Sequence, residues 1–377
     1  MVVVQAATAA PPPAKKGQGK EEQQYAIGIE DVRAAAERIA GKAVRTPVVK
    51  MKVDGADGQE EVVYLKAECL QQGGSFKYRG ACNSIMALKE AKGNAKVSVV
   101  THSSGNHAAA LSLAASQNGA DAYVVMPHTA PECKKNATLA NGAKSLTLVE
   151  ATMEAREAAA EKVMADTGAK MIPPYNSPLT MAGQGTVGLE LMEQIEGLEC
   201  IIVPCSGAGL ISGIAVAAKA INPDVRVVAA EPMGTNDAAD IFKSVAEGTL
   251  IQTMTPPDTI ADGLRARMGS LTWPCVRDLV DAVVAVSEVR FQPNLSMNYS
   301  RYTFTFFPST VPPRSNDDLH FHYITYGERR LLCVFLRVLK KILLRSFRRA
   351  NGDGWKNSIP PTPSWSQRQT VHSRIRH

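Results

Sequence analysis

Between residues 27 and 287 the chain alternates two periods, and this alternation restricts the fold more than any other feature. Apolar runs over 62–66, 97–100, 122–126, 146–149, 200–203 and 225–230 read as short strands. Each is followed by a stretch with helical spacing, over 77–92, 104–117, 131–141, 151–166, 210–220 and 236–246. Strands that are apolar throughout and joined by helices call for parallel sheets covered on both faces. The expected fold class is therefore α/β, in two lobes that each carry a mostly parallel sheet flanked by helices. The boundaries drawn on this pattern are a leader over 1–24, a large lobe from 25–97 and 178–288, a small lobe over 98–177, and a tail over 289–377.

The two ends of the chain are written differently from its body. Residues 1–20 are rich in Ala, Pro, Val and Lys and contain no acid, which reads as a disordered leader. The stretch also lacks Arg and Ser, which argues against a transit peptide without excluding organelle targeting. Net charge is +6, yet residues 289–377 hold 15 Lys and Arg against 4 Asp and Glu. The body is therefore acidic, with 27 against 32. No apolar run approaches the ~18 residues of a bilayer span. The seven cysteines form no Cys-x-x-Cys pair and read as free thiols in a reducing compartment. The location expected is cytoplasmic.

Ligand sites of open α/β sheets lie at the carboxyl ends of strands, and four sequence features fall there. Lys77 stands in Gly74-Ser75-Phe76-Lys77-Tyr78-Arg79-Gly80, at a helix start and between two aromatic residues. A lone lysine is usually a solvated surface residue. Apolar neighbours and a helix N-terminus would lower its pKa, as an amine nucleophile requires. Ser206-Gly207-Ala208-Gly209 follows the strand over 200–203 and leads into a helix at Leu210. Close packing explains such a turn, and so does a phosphate cradle of backbone N–H groups. Ala208 is tolerable there at negative φ and costly at positive φ. Ser103-Ser104-Gly105-Asn106-His107 reads as an N-cap before an Ala-rich helix, and equally as a carboxylate site. His107 is left open between a structural and a catalytic part. Glu231 and Asp237 share one loop and, with the Thr235 carbonyl between them, offer a divalent cation three oxygens. A lysine amine with a phosphate cradle is the equipment for pyridoxal phosphate chemistry at the Cα of an amino acid.

Six ordered motifs carry a resemblance. SFKYRGA (75–81), THSSGNHA (101–108), AGQGT (182–186), the loop 206–210, AAEP (229–232) and TIADGL (259–264) resemble the fold type II pyridoxal-phosphate enzymes related to tryptophan synthase β. They are nearest to the branch of eukaryotic serine racemases and serine/threonine dehydratases, over residues 27–288. The resemblance implies that Lys77 bonds the cofactor and moves a proton on one face of Cα. Ser104 is then the acid and base on the opposite face. Phe76, Asn106, Asn176 and Ser206, Gly207, Ala208, Gly209 and Leu210 bind the cofactor. Ser103, Ser104, Asn106 and His107 bind the substrate, and Glu231, Thr235 and Asp237 bind Mg²⁺ or Ca²⁺. ATP is implied as an activator.

The resemblance implies racemisation of serine, with dehydration of serine and threonine, in a homodimer that engages neither nucleic acid nor membrane. A dehydratase of threonine or hydroxyaspartate that does not racemise is the alternative. Threonine deaminases of the family have Ala where Ser104 stands, and racemisation needs a proton donor on each face. After Val286-Ser287-Glu288 the family pattern of a helix, an E-P-[ST]-[AG]-[AG] segment and a strand ending S-G-G-N is absent. The tail instead carries Phe304-Thr305-Phe306-Phe307 and a basic, apolar run over 329–349. That run reads as an amphipathic helix, as a nucleic-acid arm, or as sequence foreign to the family. On the last reading the tail is irregular, a sheet edge stays uncovered, and the chain is a variant disabled by its tail.

Overall fold

The computed structural model describes residues 2–5, 25–54, 60–251, 255–259, 261–288, 304–308, 323–326 and 329–332. Strand β1 (Val2–Gln5) precedes helix α1 (Ile29–Ile39), strands β2 (Val48–Asp54) and β3 (Glu60–Lys66), and helix α2 (Lys77–Ala91). Next come β4 (Ser98–Thr101), α3 (Asn106–Gln117), β5 (Asp121–Pro127), α4 (Glu132–Ala140), β6 (Ser145–Val149), α5 (Met153–Thr167) and β7 (Lys170–Met171). The alternating part continues with α6 (Pro178–Gln194), β8 (Cys200–Pro204), α7 (Gly209–Ile221), β9 (Arg226–Pro232), α8 (Asp240–Glu247), α9 (Trp273–Leu279) and β10 (Ala282–Glu288). Strands β11 (Phe304–Pro308), β12 (Tyr323–Tyr326) and β13 (Arg329–Leu332) lie in the basic tail.

The strands form two main sheets. One has the order β6-β5-β4-β7 and is parallel throughout. The other has the order β11-β10-β9-β8-β1-β3-β2. Its strands β8, β9 and β10 run parallel, while β1, β2 and β11 are antiparallel to their neighbours. The apolar runs that gave no periodicity are the buried strands. Cys200, Ile201, Ile202 and Val203 of β8 are all buried, between α7 on one face and other helices and loops on the other. Such burial is what makes a parallel strand read as continuous hydrophobe.

Local signals set several ends. The Thr152 hydroxyl accepts the Ala155 N–H and starts α5, which stops at Gly168, where φ is +67°. Two of the shifts in helix start bear on the site. The helix expected from 104 begins at Asn106, with Gly105 as its N-cap, so Ser103 and Ser104 stay outside it. The helix expected from 236 begins at Asp240, because Asp237 sits at φ +51° and breaks the preceding turn.

Short strands occur in both the leader and the tail among the described residues. In the leader, the β-branched run Val2-Val3-Val4 forms β1, inserted between β8 and β3. In the tail, the β-branched and aromatic run Phe304–Pro308 forms β11 and pairs with β10, so that edge is not left bare. The basic, apolar run from 329, for which a helix was one of three readings, opens with β13, which pairs antiparallel with β12. Its continuation to 349 lies outside the described residues, as do residues 6–24.

Candidate active site

The two sheets bring their carboxyl ends to one place. In the smaller sheet β4 and β7 are neighbours, so Ser103 to His107 and Pro173 to Asn176 emerge side by side. In the larger sheet β8 delivers the loop 206–209 and β9 delivers Glu231.

Lys77 is the first residue of α2. Its Nζ donates to the Pro174 carbonyl oxygen at 2.6 Å and lies 5.2 Å from the Phe76 ring centroid and 5.9 Å from that of Tyr175. The stem borders the cleft while the amine sits deep. Burial of that amine without a carboxylate partner lowers its pKa to about 8.

His107 is buried, and one ring nitrogen, Nε2, lies 2.9 Å from the Ile172 carbonyl oxygen. A carbonyl only accepts, so Nε2 carries the proton and Nδ1 is a bare acceptor. Burial, and then the Lys77 amine, lower the imidazole pKa to about 3, so it stays neutral. Lys77 and His107 are thus both tethered to the segment 172–174. Ser103 Oγ accepts the Gly105 N–H at 3.4 Å, Ser104 is half-buried in the bend before α3, and Asn106 is exposed at its first position.

The loop after β8 is built for close approach. Ala208 takes the left-handed conformation, φ +65° and ψ 5°, as N-cap of α7. This is the costly alternative anticipated for it, on the order of 1–2 kcal/mol for a residue with a Cβ. A Cβ on Gly207 would stand 2.5 Å from the Tyr175 ring, and one on Gly209 2.8 Å from Tyr175 Cβ. Thr272 Oγ1 donates to the Gly207 carbonyl at 3.1 Å and braces the turn. Leu210 opens the second position of α7, and Ser206 is half-buried at the mouth.

Asn176 is engaged elsewhere. Its Oδ1 accepts the Leu271 N–H at 2.8 Å and its Nδ2 donates to Ser270 Oγ at 3.4 Å. The residue lying against both the cradle and Lys77 is Tyr175, which sequence reasoning passed over. Its place between Pro174 and Asn176 was the available signal.

Pyridoxal phosphate can be tested against this arrangement. Among the described residues, the buried side-chain atoms without a partner include Ser75 Oγ, Thr101 Oγ1 and His107 Nδ1. Ser75 lies two residues before Lys77, Thr101 ends β4, and His107 is in α3. Unpartnered buried groups are costly. Three such groups on the segments that carry Lys77 and the loop after β4, two cradle glycines with no room for a Cβ, and a buried amine fit an aromatic aldehyde carrying a phosphate.

Glu231 and Asp237 of the expected cation set are engaged with other partners. Glu231 is buried, and its two oxygens accept the Ile241 and Phe242 N–H groups at 3.1 and 2.9 Å. Burial, with the Asp240 carboxyl against it, pushes its pKa well up. Asp237 is exposed and paired with Lys243 at 3.0 Å, and Thr235 bonds Asp258 through both its N–H and its hydroxyl. Among the described residues no three acidic, His or Cys groups gather for a metal. These residues do not fit a cation as arranged, and no step is assigned to one. No described helix is long and apolar enough to cross a membrane.

Comparison with known proteins agrees with the geometry. Residues 39–291 match the family described as pyridoxal-phosphate dependent enzyme. A serine racemase of Arabidopsis thaliana is 49% identical over 278 residues, spanning 74% of this chain and 81% of that protein. The structure of maize serine racemase is 46% identical, with a TM-score of 0.64 over 70% of this chain and 78% of the other. The processed form of threonine deaminase isoform 2 from Solanum lycopersicum is 28% identical, with a TM-score of 0.62 over 75% of this chain and 76% of the other. The chain belongs to the pyridoxal-phosphate dependent enzymes of fold type II.

Proposed function

We propose that this enzyme interconverts L- and D-serine and also dehydrates serine and threonine. The observation that supports the reading is that the Lys77 amine and the start of α3, next to Ser104, are both tethered to the segment 172–174. Lys77 holds a buried amine whose pKa is lowered to about 8, and Ser104 presents a hydroxyl from the end of β4. The cofactor, when bound, draws electrons from Cα so that its proton becomes removable. Lys77 would hold the cofactor and take or return the proton on one face. Ser104 would do so on the other, and two donors on opposite faces are what inversion requires. Backbone N–H groups at the start of α7, with Ser206, Gly207, Ala208, Gly209 and Leu210, would hold the phosphate. Phe76 and Asn106 would border the ring. Ser103 and Asn106 would receive the substrate carboxylate beside the α3 N-terminus, and His107 would line the same site with its Nε2–H held by the Ile172 carbonyl. The two sheets support a division into a lobe of 25–97 with 178–288 and a lobe of 98–177, with the reaction between them.

The test is to purify the full chain with pyridoxal phosphate, record its visible spectrum, and follow L-serine, L-threonine and hydroxyaspartate. D-serine together with pyruvate is the expected product set from L-serine. Pyruvate without D-serine would favour the dehydratase reading. A folded chain with no visible band would mean that its tail disables it.

A further inference from the structure

A buried ionic cage lies behind α2, apart from the cleft. Arg79, the third residue of α2, has a side chain 1% exposed. Its Nε and Nη2 donate to the two oxygens of Glu68 at 2.9 and 2.8 Å. Its Nη1 and Nη2 donate to the two oxygens of Glu190 in α6 at 2.6 and 2.9 Å. The Val44 carbonyl and Thr186 Oγ1 complete the set at 3.1 and 3.2 Å. Lys66, at the end of β3, joins through Glu190 at 2.5 Å and also donates to the Thr46 carbonyl and Gln194 Oε1. Thr46 Oγ1 donates to Glu68 at 2.6 Å. Two cations and two anions therefore balance, with every guanidinium N–H engaged.

Stability does not by itself account for such a cage. Buried ion pairs replaced by apolar groups of like volume are often as stable or more so. What an apolar contact lacks is direction, and besides the cage the directed contacts of α2 lie further along it or are single bonds, among them Tyr78 Oη to Gln117 Oε1, Gly80 N–H to Gln184 Oε1 and Asn83 Nδ2 to the Leu179 carbonyl. Phe76 provides no side-chain cap. Where α2 crosses α6 the contact is Gly80 against Gly183, so close that a Cβ on Gly183 would lie 2.6 Å from the Gly80 Cα. Two glycines meeting present no knobs to resist rotation. Arg79 holds two carboxylates in bidentate forks, and a fork specifies orientation as well as distance. Lys77 lies two residues away, about 200° around the helix, so it projects from roughly the opposite side. At a side-chain radius of about 5–6 Å, a 10° rotation of α2 moves that side chain by about 1 Å. A misplacement of that size can cost on the order of 100-fold in rate.

We propose that Arg79, held by Glu68 and Glu190, is a positioning residue that sets the rotation of α2 and so aims the Lys77 amine into the cleft. For its kinetic part this rests on the serine reading above. The experiment compares the parent chain with Arg79→Lys, which keeps the charge and loses the fork. Three quantities are read: the rate at which apoenzyme captures pyridoxal phosphate, seen as growth of the visible band; kcat per bound cofactor and KM with L-serine; and the melting temperature. The expected result is capture slowed about 10-fold or more and kcat reduced about 10–100-fold, with KM within about 3-fold of the parent. A fall in melting temperature with capture rate and kcat per bound cofactor unchanged would overturn the proposal, since the cage would then be structural only. Glu68→Gln, which opens one fork and leaves Glu190 in place, is measured alongside in case Arg79→Lys does not fold. It should shift the same two rates in the same direction, and insolubility of both variants would assign the cage to stability alone. A parent chain that captures cofactor but ignores L-serine would sink the serine reading while the capture rates still decide this one.

Discussion

Replacing Gly207 with alanine puts a methyl carbon 2.5 Å from Cγ and Cδ1 and 2.6 Å from Cδ2 of Tyr175. Carbon pairs rest at about 3.5–4.0 Å, so the ring must retreat by about 1 Å or more. The ring is partly buried, with the Lys77 amine 5.9 Å from its centroid. Overpacking of this kind costs about 1–3 kcal/mol. Gly209→Ala should cost at least as much for a different reason. Its methyl would meet Tyr175 Cβ, Cα and carbonyl oxygen at 2.8, 2.9 and 3.0 Å, which no side-chain rotation relieves. The two clashes therefore separate in a double-mutant cycle with Tyr175→Ala. Removing the ring should recover most of the Gly207→Ala cost, a coupling of about 1–3 kcal/mol. It should recover less than about 0.5 kcal/mol of the Gly209→Ala cost, because Cβ and backbone remain. Urea unfolding of the apoenzymes reads the stabilities, and a spectroscopic titration with pyridoxal phosphate reads the cradle. Equal coupling in both cycles, or none in the first, would refute the placement of Tyr175 against the cradle.

Three further outcomes are expected. Ser104→Ala should abolish formation of D-serine while sparing pyruvate formation from L-serine, by chiral chromatography and a pyruvate assay; equal loss of both would remove Ser104 from its assigned face. Capture of pyridoxal phosphate needs a neutral amine, so with the Lys77 pKa lowered to about 8 its rate should rise with pH and level off above about 8; a rise continuing towards pH 10.5 would mean the amine is not desolvated. Glu231 and Asp240 are both buried with raised pKa values, chiefly through burial, so the folded state binds a proton that the unfolded state releases above the ordinary carboxylate range. Stability from this pair is greatest below that range and falls as pH rises, so the near-isosteric Asp240→Asn should raise the melting temperature at pH 8 by more than at pH 5; an equal shift at both would show the pair is not under strain.

The readable part of the site was the part whose chemistry is local. Lys77 and the loop 206–209 announce themselves because a nucleophile between aromatics and a run of small residues at a strand end are short-range patterns. Helix α6 was quoted only as the motif AGQGT, since Gly183, Gly185 and Gly188 weaken any helical reading. The reason for those glycines is non-local. A Cβ on Gly183 would meet Gly80 of α2, and one on Gly185 or Gly188 would meet Gly213 or Ile214 of α7. The leader strand was missed because its partners lie far along the chain, whereas the tail strands pair with neighbours near in sequence. β1 pairs with residues 62–65 and 200–202, and β11 with 284–288.

The acidic groups show the same limit more sharply. Glu231 and Asp237 share a loop, and shared sequence suggested a shared ligand. Direction is not legible from spacing. The turn at Asp237, with φ +51°, sends that carboxylate out to Lys243, and the start of α8 at Asp240 turns two backbone N–H groups back onto Glu231. A carboxyl whose two oxygens already accept backbone N–H groups at a helix start is satisfied without a metal. Asp240 Oδ2 in turn accepts the Met268 N–H at 2.8 Å, next to Gly269, which abuts Asn176 and precedes the Thr272 brace on Gly207. The buried carboxyls thus sit behind the cofactor cradle as part of its support. In the same way the Arg79 cage, whose members Lys66 and Glu190 are 124 residues apart, sits behind the lysine. The reacting groups are written in short motifs, while what aims them is assembled from residues that meet only once the chain has folded.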